Sequence, residues 1–316
     1  MDPAELQKIA ERARFMRDAG FALLFASLVL AVFILFPSPS RKTGSETPVA
    51  VATSAAPDAF THVPLEAKAA IVSDLATGET LYAKNADAQL PLASLTKLLT
   101  VYAAFKTLPP TTPITVSVDA TRLDAPRAFR AGETLPLEDI ARLTLVASLN
   151  DGATAIAEAT AARETRSQDA MLASAAAALG LAETYAVNGS GLDVNQAVSG
   201  GYGSARDLAR LAGALVSEAP SVALATTQDT AQASSGRGTA FIVKNTDPIV
   251  GTIPNLLLSK TGYTDLAGGN LALVFDVGIG HPVAVIVLGS SKTARFTDGA
   301  ALVAATLAHF AGVASL

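Results

Sequence analysis

A serine and a lysine stand three residues apart in the stretch "LASLTKLLT", as Ser94 and Lys97. Residues i and i+3 share one face of a helix, so the lysine amine can reach the serine hydroxyl. A serine hydroxyl becomes a strong nucleophile only when a neighbouring base takes its proton. A lysine can be that base if burial or a nearby cation lowers the pKa of its ammonium toward neutrality. Taken alone, the pair also fits an ordinary capped helix with a surface lysine.

Two further stretches hold polar residues suited to work beside a serine nucleophile. "VASLNDGATAIAE" places Ser148 and Asn150 between two predicted helices, and "LLLSKTGYTDLAGGN" places Lys260, Thr261 and Gly262 after an apolar run. Ser148 can relay a proton, and Asn150 can hold a substrate amide. Lys260 and Thr261 can bind a carboxylate. Gly262 lets a substrate backbone approach the strand.

Composition excludes several other kinds of function. A net charge of −5 and a pI near 5.3 provide no basic surface for nucleic acid, and cysteine is absent, which removes thiol nucleophiles and thiolate metal sites. The histidines, His62, His281 and His309, are far apart and lack a metal-binding spacing. We therefore predict no metal site and no nucleic-acid partner.

Hydropathy patterns indicate the elements that must position these residues. "KAAIVSDLATGETLYAKN" predicts a β-hairpin that turns at residues 76–78, and Ser94 is expected to be the N-cap of the next helix. The middle of the chain is helical, with Gly180 predicted to cap one helix end and Ser204 predicted to begin the helix "SARDLARLAGALVSE".

Strand patterns return after residue 239, in "FIVKN", "NLLLSKTG", "GNLALVFDVG" and "PVAVIVLGS", and a closing amphipathic helix is predicted at about residues 295–310. Strands at both ends with helices between them favour an α/β (α+β) fold. One antiparallel sheet is assembled from the two chain ends, and a helical lobe packs beside it.

An uncharged apolar segment near the start of the chain predicts a membrane anchor. Residues 19–36 carry no charge, and basic residues are more numerous before them than after them. We expect a cytoplasmic N-terminus (1–18), a transmembrane anchor (19–36), a flexible linker (37–63) rich in Pro, Ser, Thr and Ala, and a catalytic domain (64–316) outside the cytoplasm. A cleavable signal peptide is the alternative, but the segment is long and lacks a small-residue cleavage site.

The order SxxK, SxN, KTG resembles the penicillin-binding and active-site serine β-lactamase superfamily. The flanking stretches "SLTKLLT", "SLNDGATAIAE", "GSGLD", "GYGSARDLARLAGAL" and "SKTGYTDLAGGNLAL" are similar to the D-alanyl-D-alanine carboxypeptidases of the low-molecular-mass penicillin-binding group. The resemblance covers residues 64–312. It implies a β-lactamase/transpeptidase-like fold and acylation by peptides that end in D-Ala-D-Ala.

The resemblance also implies a role for each motif residue. Ser94 is the expected nucleophile and Lys97 its general base, while the backbone N–H groups of Ser94 and Tyr263 form an oxyanion hole. Ser148 and Lys260 pass a proton to the departing D-alanine, and Thr261 holds the terminal carboxylate. The expected substrate is a peptidoglycan stem peptide, β-lactam antibiotics are expected covalent inhibitors, and no metal or organic cofactor is needed.

Three alternative functions are considered. Two of them would use the same motifs, and the third is a protein that binds the cell wall without catalysis. A DD-endopeptidase would cleave cross-links with the same residues. A serine β-lactamase would deacylate rapidly, but Glu158, Glu164 and Glu183 do not stand in the sequence context of the glutamate that activates water in class A enzymes. A cell-wall binding scaffold would not require a nucleophile with its base.

Overall fold

The computed structural model describes residues 59–312 of the 316-residue chain. The predicted cytoplasmic N-terminus, the membrane anchor and most of the linker lie outside these residues. Within residues 59–312, no helix is long and apolar enough to cross a membrane. Ala59 and Phe60 are already buried in the core, so packed structure begins slightly before the predicted boundary at residue 64.

A five-stranded antiparallel sheet joins the two ends of the described chain, as predicted. Its strands are β1 (Ala69–Asp74), β2 (Thr80–Lys84), β10 (Leu256–Thr264), β11 (Gly268–Asp276) and β12 (Pro282–Ser290). Their spatial order is β10, β11, β12, β1 and β2. β10 is an edge strand of this sheet, and β1 and β2 form the predicted hairpin.

Both faces of the sheet are covered, and successive side chains alternate between two hydrophobic cores. In β1, Ile71 belongs to the core shared with the helical lobe, whereas Ala70 and Val72 belong to the core on the opposite face. This alternation follows from the two-residue period of a strand. Because both faces are buried, the central strands have nearly continuous apolar sequences such as "LALVF".

Seven α-helices occur in the described part of the chain, and most match the predicted stretches. They are α1 (Thr96–Thr107), α2 (Leu137–Ala147), α3 (Asn150–Glu164), α4 (Gln168–Ala178), α5 (Ala205–Glu218), α6 (Pro220–Ala225) and α7 (Ala294–Phe310). Ser204 caps α5 as predicted, since its Oγ accepts a hydrogen bond from the N–H of Asp207 at 3.1 Å. Gly180 follows α4 with φ +70°, the left-handed conformation that ends many helices.

The remaining strands are short and belong to three smaller sheets. They are β3 (Leu90–Pro91), β4 (Pro113–Thr115), β5 (Thr134–Pro136), β6 (Tyr185–Ala186), β7 (Gly201–Gly203), β8 (Thr230–Ser234) and β9 (Ala240–Lys244). "FIVKN" forms a strand as predicted, but this strand, β9, lies outside the main sheet and pairs with β8 in a separate hairpin. β9 buries Phe241 and Val243 but exposes Ile242, whereas the central strands of the main sheet are covered on both faces.

Asp298 of α7 connects the beginning of the described chain to its end. Its buried carboxylate accepts hydrogen bonds from the N–H groups of Glu66 and Ala67, at 3.2 and 2.9 Å, and from the hydroxyl of Ser290 at 2.7 Å. The chain that leads into β1, the end of β12 and helix α7 therefore share one acceptor.

We predict that Asp298→Ala lowers the free energy of unfolding by about 2–4 kcal/mol, because buried donors lose their acceptor. Asp119→Ala is the matched control, since Asp119 is exposed and pairs only with Arg122 on its own turn. Its expected effect is within about 0.5 kcal/mol. Urea unfolding followed by circular dichroism measures both, and equal losses in the two variants would contradict the assignment.

Candidate active site

Three separate segments bring the predicted site residues together. Ser94 lies in a 3₁₀ turn (Ala93–Leu95) that leads into α1, and Lys97 lies in the first turn of that helix. Ser148 and Asn150 flank the junction between α2 and α3. The KTG stretch, Lys260 to Gly262, lies on the edge strand β10.

The expectation that Ser94 is a helix N-cap is wrong. Leu95 holds that position, without a side-chain capping bond, and the helix begins at Thr96. The Oγ of Ser94 instead lies 2.8 Å from the Nζ of Lys97. Ala93, with φ +49°, precedes the serine in a left-handed conformation that is uncommon for a residue other than glycine. The hydroxyl is therefore available for chemistry because it does not cap the helix.

Lys97 is completely buried, and within residues 59–312 its amine is hydrogen-bonded only to neutral groups. Its Nζ lies 2.8 Å from Ser94 Oγ, 2.8 Å from Asn150 Oδ1 and 2.6 Å from the backbone oxygen of Ser190. Burial lowers the pKa of Lys97 well below its usual value, and the charge of Lys260 lowers it further, against the opposing effect of Asp151. The structure therefore favours the neutral amine that a general base requires.

Lys260 forms the second buried amine of the site. Its Nζ donates hydrogen bonds to Ser148 Oγ at 2.9 Å and to the backbone oxygen of Thr261 at 2.7 Å. Burial lowers the pKa of Lys260 to about 7, with a further contribution from the charge of Arg295 and an opposing one from Asp247. Lys260 can therefore exchange a proton with the Ser148 hydroxyl near neutral pH.

The junction between α2 and α3 orients Ser148 and Asn150 through its backbone conformation. Ser148 ends α2 with φ +60°, and the N–H groups of Ser148 and Leu149 both bond to the carbonyl oxygen of Thr144. Leu149 is buried in the hydrophobic core. Asn150, the first residue of α3, donates from Nδ2 to the backbone oxygen of Asp124 at 2.9 Å, which leaves Oδ1 for Lys97.

Glycine at position 262 allows β10 to pass directly beside the turn that carries Ser94. A Cβ atom at this position would lie 2.9 Å from the oxygen of Leu92 and 3.3 Å from the nitrogen of Ser94. Before Gly262, Thr261 Oγ1 lies 2.7 Å from Thr246 Oγ1. After it, the side chain of Tyr263 is 41% exposed. The edge of β10 and the backbone N–H of Ser94 thus face the same space.

Several residues of the site were not singled out by sequence reasoning. Ser190 contributes only its backbone oxygen, which has no residue-type signature, although the neighbouring Gly191 is informative. A Cβ there would lie 2.0 Å from the oxygen of Ala93, so only glycine fits. Arg295, the second residue of α7, is 8% exposed and donates from Nη1 to the oxygen of Gly262 at 2.6 Å.

Asp151 is a further site residue without a predicted role. Its fully buried carboxylate accepts hydrogen bonds from the N–H groups of Ala128, Phe129 and Gly152, at 2.9, 2.8 and 2.8 Å. Burial raises the pKa of Asp151, although these hydrogen bonds oppose the shift. Asp151 therefore fixes residues 128–129 against the start of α3, beside Asn150.

Two curated proteins are similar to this chain in sequence. The D-alanyl-D-alanine endopeptidase of Pseudomonas aeruginosa is 29% identical over 263 residues, which cover 80% of this chain and 83% of that protein. The D-alanyl-D-alanine carboxypeptidase DacF of Bacillus subtilis is 26% identical over 282 residues, covering 86% of this chain and 67% of that protein.

A solved structure is similar to this chain in fold. Penicillin-binding protein D2 of Listeria monocytogenes, crystallised in its ampicillin-bound form, matches with a TM-score of 0.66 and 28% identity, over 77% of this chain and 98% of that chain. The match confirms the predicted penicillin-binding/β-lactamase-like α/β fold. In addition, the sequence profile described as D-alanyl-D-alanine carboxypeptidase matches residues 52–292. The chain therefore belongs to the D-alanyl-D-alanine carboxypeptidase family, whose members are serine DD-peptidases.

Proposed function

We propose that this protein is a membrane-anchored D-Ala-D-Ala carboxypeptidase that trims peptidoglycan stem peptides through an acyl-enzyme on Ser94. The observation that carries the proposal is the set of three contacts at the Lys97 amine. A neutral amine has two N–H donors and one lone pair. The two N–H groups donate hydrogen bonds to Asn150 Oδ1 and to the backbone oxygen of Ser190. The lone pair therefore remains to accept the hydroxyl proton of Ser94.

The substrate is expected to extend along the free edge of β10. In this arrangement its terminal carboxylate lies near Lys260, Thr261 and Arg295, where two buried cations and a hydroxyl provide attraction. The carbonyl carbon of the scissile bond lies at Ser94, and its oxygen faces the backbone N–H groups of Ser94 and Tyr263. Removing one such donor typically costs about 100- to 1000-fold in rate.

Acylation then follows with a balanced set of proton transfers. Ser94 Oγ bonds to the carbonyl carbon while its proton moves to Lys97 Nζ. The C–N bond breaks, and the departing D-alanine amine takes a proton from the Ser148 hydroxyl, which is replenished by the Lys260 ammonium. At the end of this half-reaction Lys97 is protonated and Lys260 is neutral.

Deacylation restores both lysines. A water oxygen bonds to the acyl carbon while one water proton passes through Ser148 to Lys260. The ester C–O bond breaks, and Ser94 Oγ leaves with the proton from Lys97. The cycle thus returns to a neutral Lys97 and a charged Lys260, which is the pair of protonation states from which acylation starts.

The endopeptidase relative supports a second candidate with the same chemistry. At 29% identity to the P. aeruginosa protein, this chain is about as similar to an endopeptidase as to the carboxypeptidase DacF. Cleavage of a cross-link requires only that the leaving amine belongs to a second peptide. Comparing hydrolysis of a pentapeptide stem with hydrolysis of a cross-linked dimer separates the two activities.

The β-lactamase alternative receives less support from the site. Glu158 accepts a hydrogen bond from Ser117, and Glu164 accepts one from Thr107. In residues 59–312, no glutamate is hydrogen-bonded to Ser94 or Lys97. We therefore expect a slowly hydrolysed penicillin adduct.

Ser94→Ala should abolish covalent labelling by benzylpenicillin, because the variant has no oxygen to acylate. Intact-mass spectrometry of the full chain in detergent measures the adduct. Ser221→Ala, at an exposed position of α6, serves as the control and should label like the unmodified protein. A persistent adduct on the Ser94 variant would exclude the serine as nucleophile. Rapid loss of the adduct from the unmodified protein would instead indicate a β-lactamase, and no adduct at all a binding scaffold.

Arg295→Gln should move the alkaline limb of the peptide-hydrolysis pH profile to higher pH. The Arg295 charge lowers the pKa of Lys260, so its removal raises that pKa above about 7 and keeps the proton-donating ammonium present at higher pH. Lys292→Gln is the control, because Lys292 is exposed over the Tyr263 ring. The pH dependence of kcat/KM for a D-Ala-D-Ala peptide tests this, and an unshifted limb in the Arg295 variant would refute the proposed donor.

The membrane anchor at residues 19–36 is part of the proposal. With more basic residues before the segment than after it, the catalytic domain should face outward. Protease added to intact spheroplasts should therefore digest the catalytic domain while an N-terminal tag stays protected until the membrane is permeabilised. A catalytic domain that resists the protease in intact spheroplasts would contradict this topology.

A further inference from the structure

We infer that the turn between β11 and β12, together with the end of α7, contacts the lipid surface to which the chain is anchored. This region, the tip surface, is formed by residues 277–281 and 309–312. The inference rests on the membrane anchor of the proposed function, and it adds which part of the catalytic domain meets the lipid.

The turn is held rigidly and presents an isoleucine to the outside. The carboxylate of Asp276 accepts hydrogen bonds from three backbone N–H groups of the turn, at 2.9, 3.0 and 3.1 Å. Ile279 stands between Gly278 and Gly280, and it is the most exposed large apolar side chain in the described part of the chain. The backbone around Ile279 is therefore fixed, although its side chain adds nothing to the core.

Phe310, the last residue of α7, extends the same apolar surface. The centroid of its ring lies 5.1 Å from that of His281 at the base of the turn, and 5.2 Å from that of His309. The side chain of Phe310 is 38% exposed, and Ala311 after it is exposed as well. Two neighbouring elements thus expose apolar groups at one place, which is typical of a binding surface rather than of a single exposed residue.

The chain from the predicted anchor enters the fold beside this surface. The ring centroid of Phe60 lies 5.9 Å from that of His309. The predicted anchor ends at residue 36, so about 22 residues separate it from Ala59, and they lie outside the described residues. A flexible linker of this length has a root-mean-square end-to-end distance of about 25 Å. The first packed residues are therefore kept near the lipid, and the tip surface is next to them.

The tether makes a weak apolar contact sufficient. Burial of one isoleucine side chain favours an apolar phase over water by roughly 10- to 100-fold. That is too little to hold a free domain on a bilayer, since even one myristoyl chain binds only marginally. A short flexible linker supplies an effective concentration on the order of millimolar, so the tethered domain needs little further affinity. A soluble partner would gain nothing from the tether, and we therefore assign lipid to this surface.

Contact at the tip surface keeps the catalytic residues away from the lipid. Gly262 of β10, beside Ser94, pairs with Asn270 of β11. From Asn270 the strand continues to Asp276, where the turn begins, over a rise of about 20 Å. The catalytic residues thus lie toward the end of the sheet that is farther from the lipid, where a peptidoglycan peptide can reach them.

The chain contains no tryptophan, so one introduced tryptophan reports the position of the tip surface. The full chain with Ile279→Trp is reconstituted in vesicles of phosphatidylcholine and phosphatidylglycerol, with either ordinary or brominated acyl chains. Bromine quenches a tryptophan that reaches the acyl region, and we expect the emission to fall about 2-fold. Ile242→Trp, at a position of β9 that is 74% exposed, is the control and should lose less than about one tenth of its emission.

A second reporter leaves the isoleucine in place. Phe310→Trp replaces one exposed aromatic ring by another, and brominated lipid should quench it as well. Adding Ile279→Asp to this variant should reduce the quenching at least about 3-fold, because a carboxylate is disfavoured in the acyl region. Adding Ile242→Asp instead is the matched control and should leave the quenching unchanged.

The outcomes separate this inference from the proposed anchor. If the full chain floats with the vesicles but bromine quenches Ile279→Trp no more than Ile242→Trp, the tip contact is refuted and the anchor stands. Quenching of Phe310→Trp that survives Ile279→Asp would refute the contact as well. An Ile279→Trp emission that is shifted to shorter wavelength but not quenched would indicate a second copy of the chain on this surface, against the assignment of lipid. Failure to float with the vesicles would overturn the anchor, and this inference with it.

Discussion

The removal of two lysine amines from water is the constraint on which the rest of this site depends. Lys97 and Lys260 are both almost fully buried, and neither is hydrogen-bonded to a carboxylate of the described part of the chain. Burying an unpaired ammonium costs free energy, and two such charges near each other also repel. Loss of a proton removes both costs, so burial favours the neutral amine. The nearest acids, Asp151 and Asp247, are occupied by other hydrogen bonds and act only through their charge. The Lys97 amine next to Ser94 is therefore able to act as a base because it is packed away from water.

Such burial requires several segments to close around the amines without a gap for water. Residues with unusual backbone conformation stand where the segments meet, at Ala93 with φ +49° and Ser148 with φ +60°. Gly191 and Gly262 are found where a side chain would collide with the turn that carries Ser94. Asn270 of β11 connects the sheet to the segment before Ser94. Its side chain donates to the backbone oxygen of Pro91 at 3.0 Å and accepts a hydrogen bond from the N–H of Gly289. Local strain of about 1–3 kcal/mol at such positions persists only when the surrounding structure holds it in place.

The sequence was sufficient to predict what depends on residue type and period. The sheet from both chain ends and the closing helix followed from apolar runs. The convergence of Ser94, Lys97, Ser148, Asn150 and Lys260 followed from ordered motifs that resemble those of a known family. What could not be predicted depends on backbone atoms and on distant charges. The oxygen of Ser190 has no signature in the sequence, and Arg295 approaches β10 only because α7 packs on the sheet. Serine is a good N-cap in general, but here Leu95 holds the N-cap position, and the Ser94 hydroxyl contacts the amine of Lys97 three residues later.

The different environments of the two lysines also allow the proposed division of labour between a general base and a proton donor. Here Lys97 meets neutral acceptors and the Ser94 hydroxyl, whereas Lys260 meets the Ser148 hydroxyl on the side of β10. The lower pKa belongs at the base and the higher one at the donor for the cycle to run forward at neutral pH. Burial lowers both values, and their mutual repulsion ensures that protonation of one lysine favours deprotonation of the other, so the pair can carry one proton between them through both half-reactions.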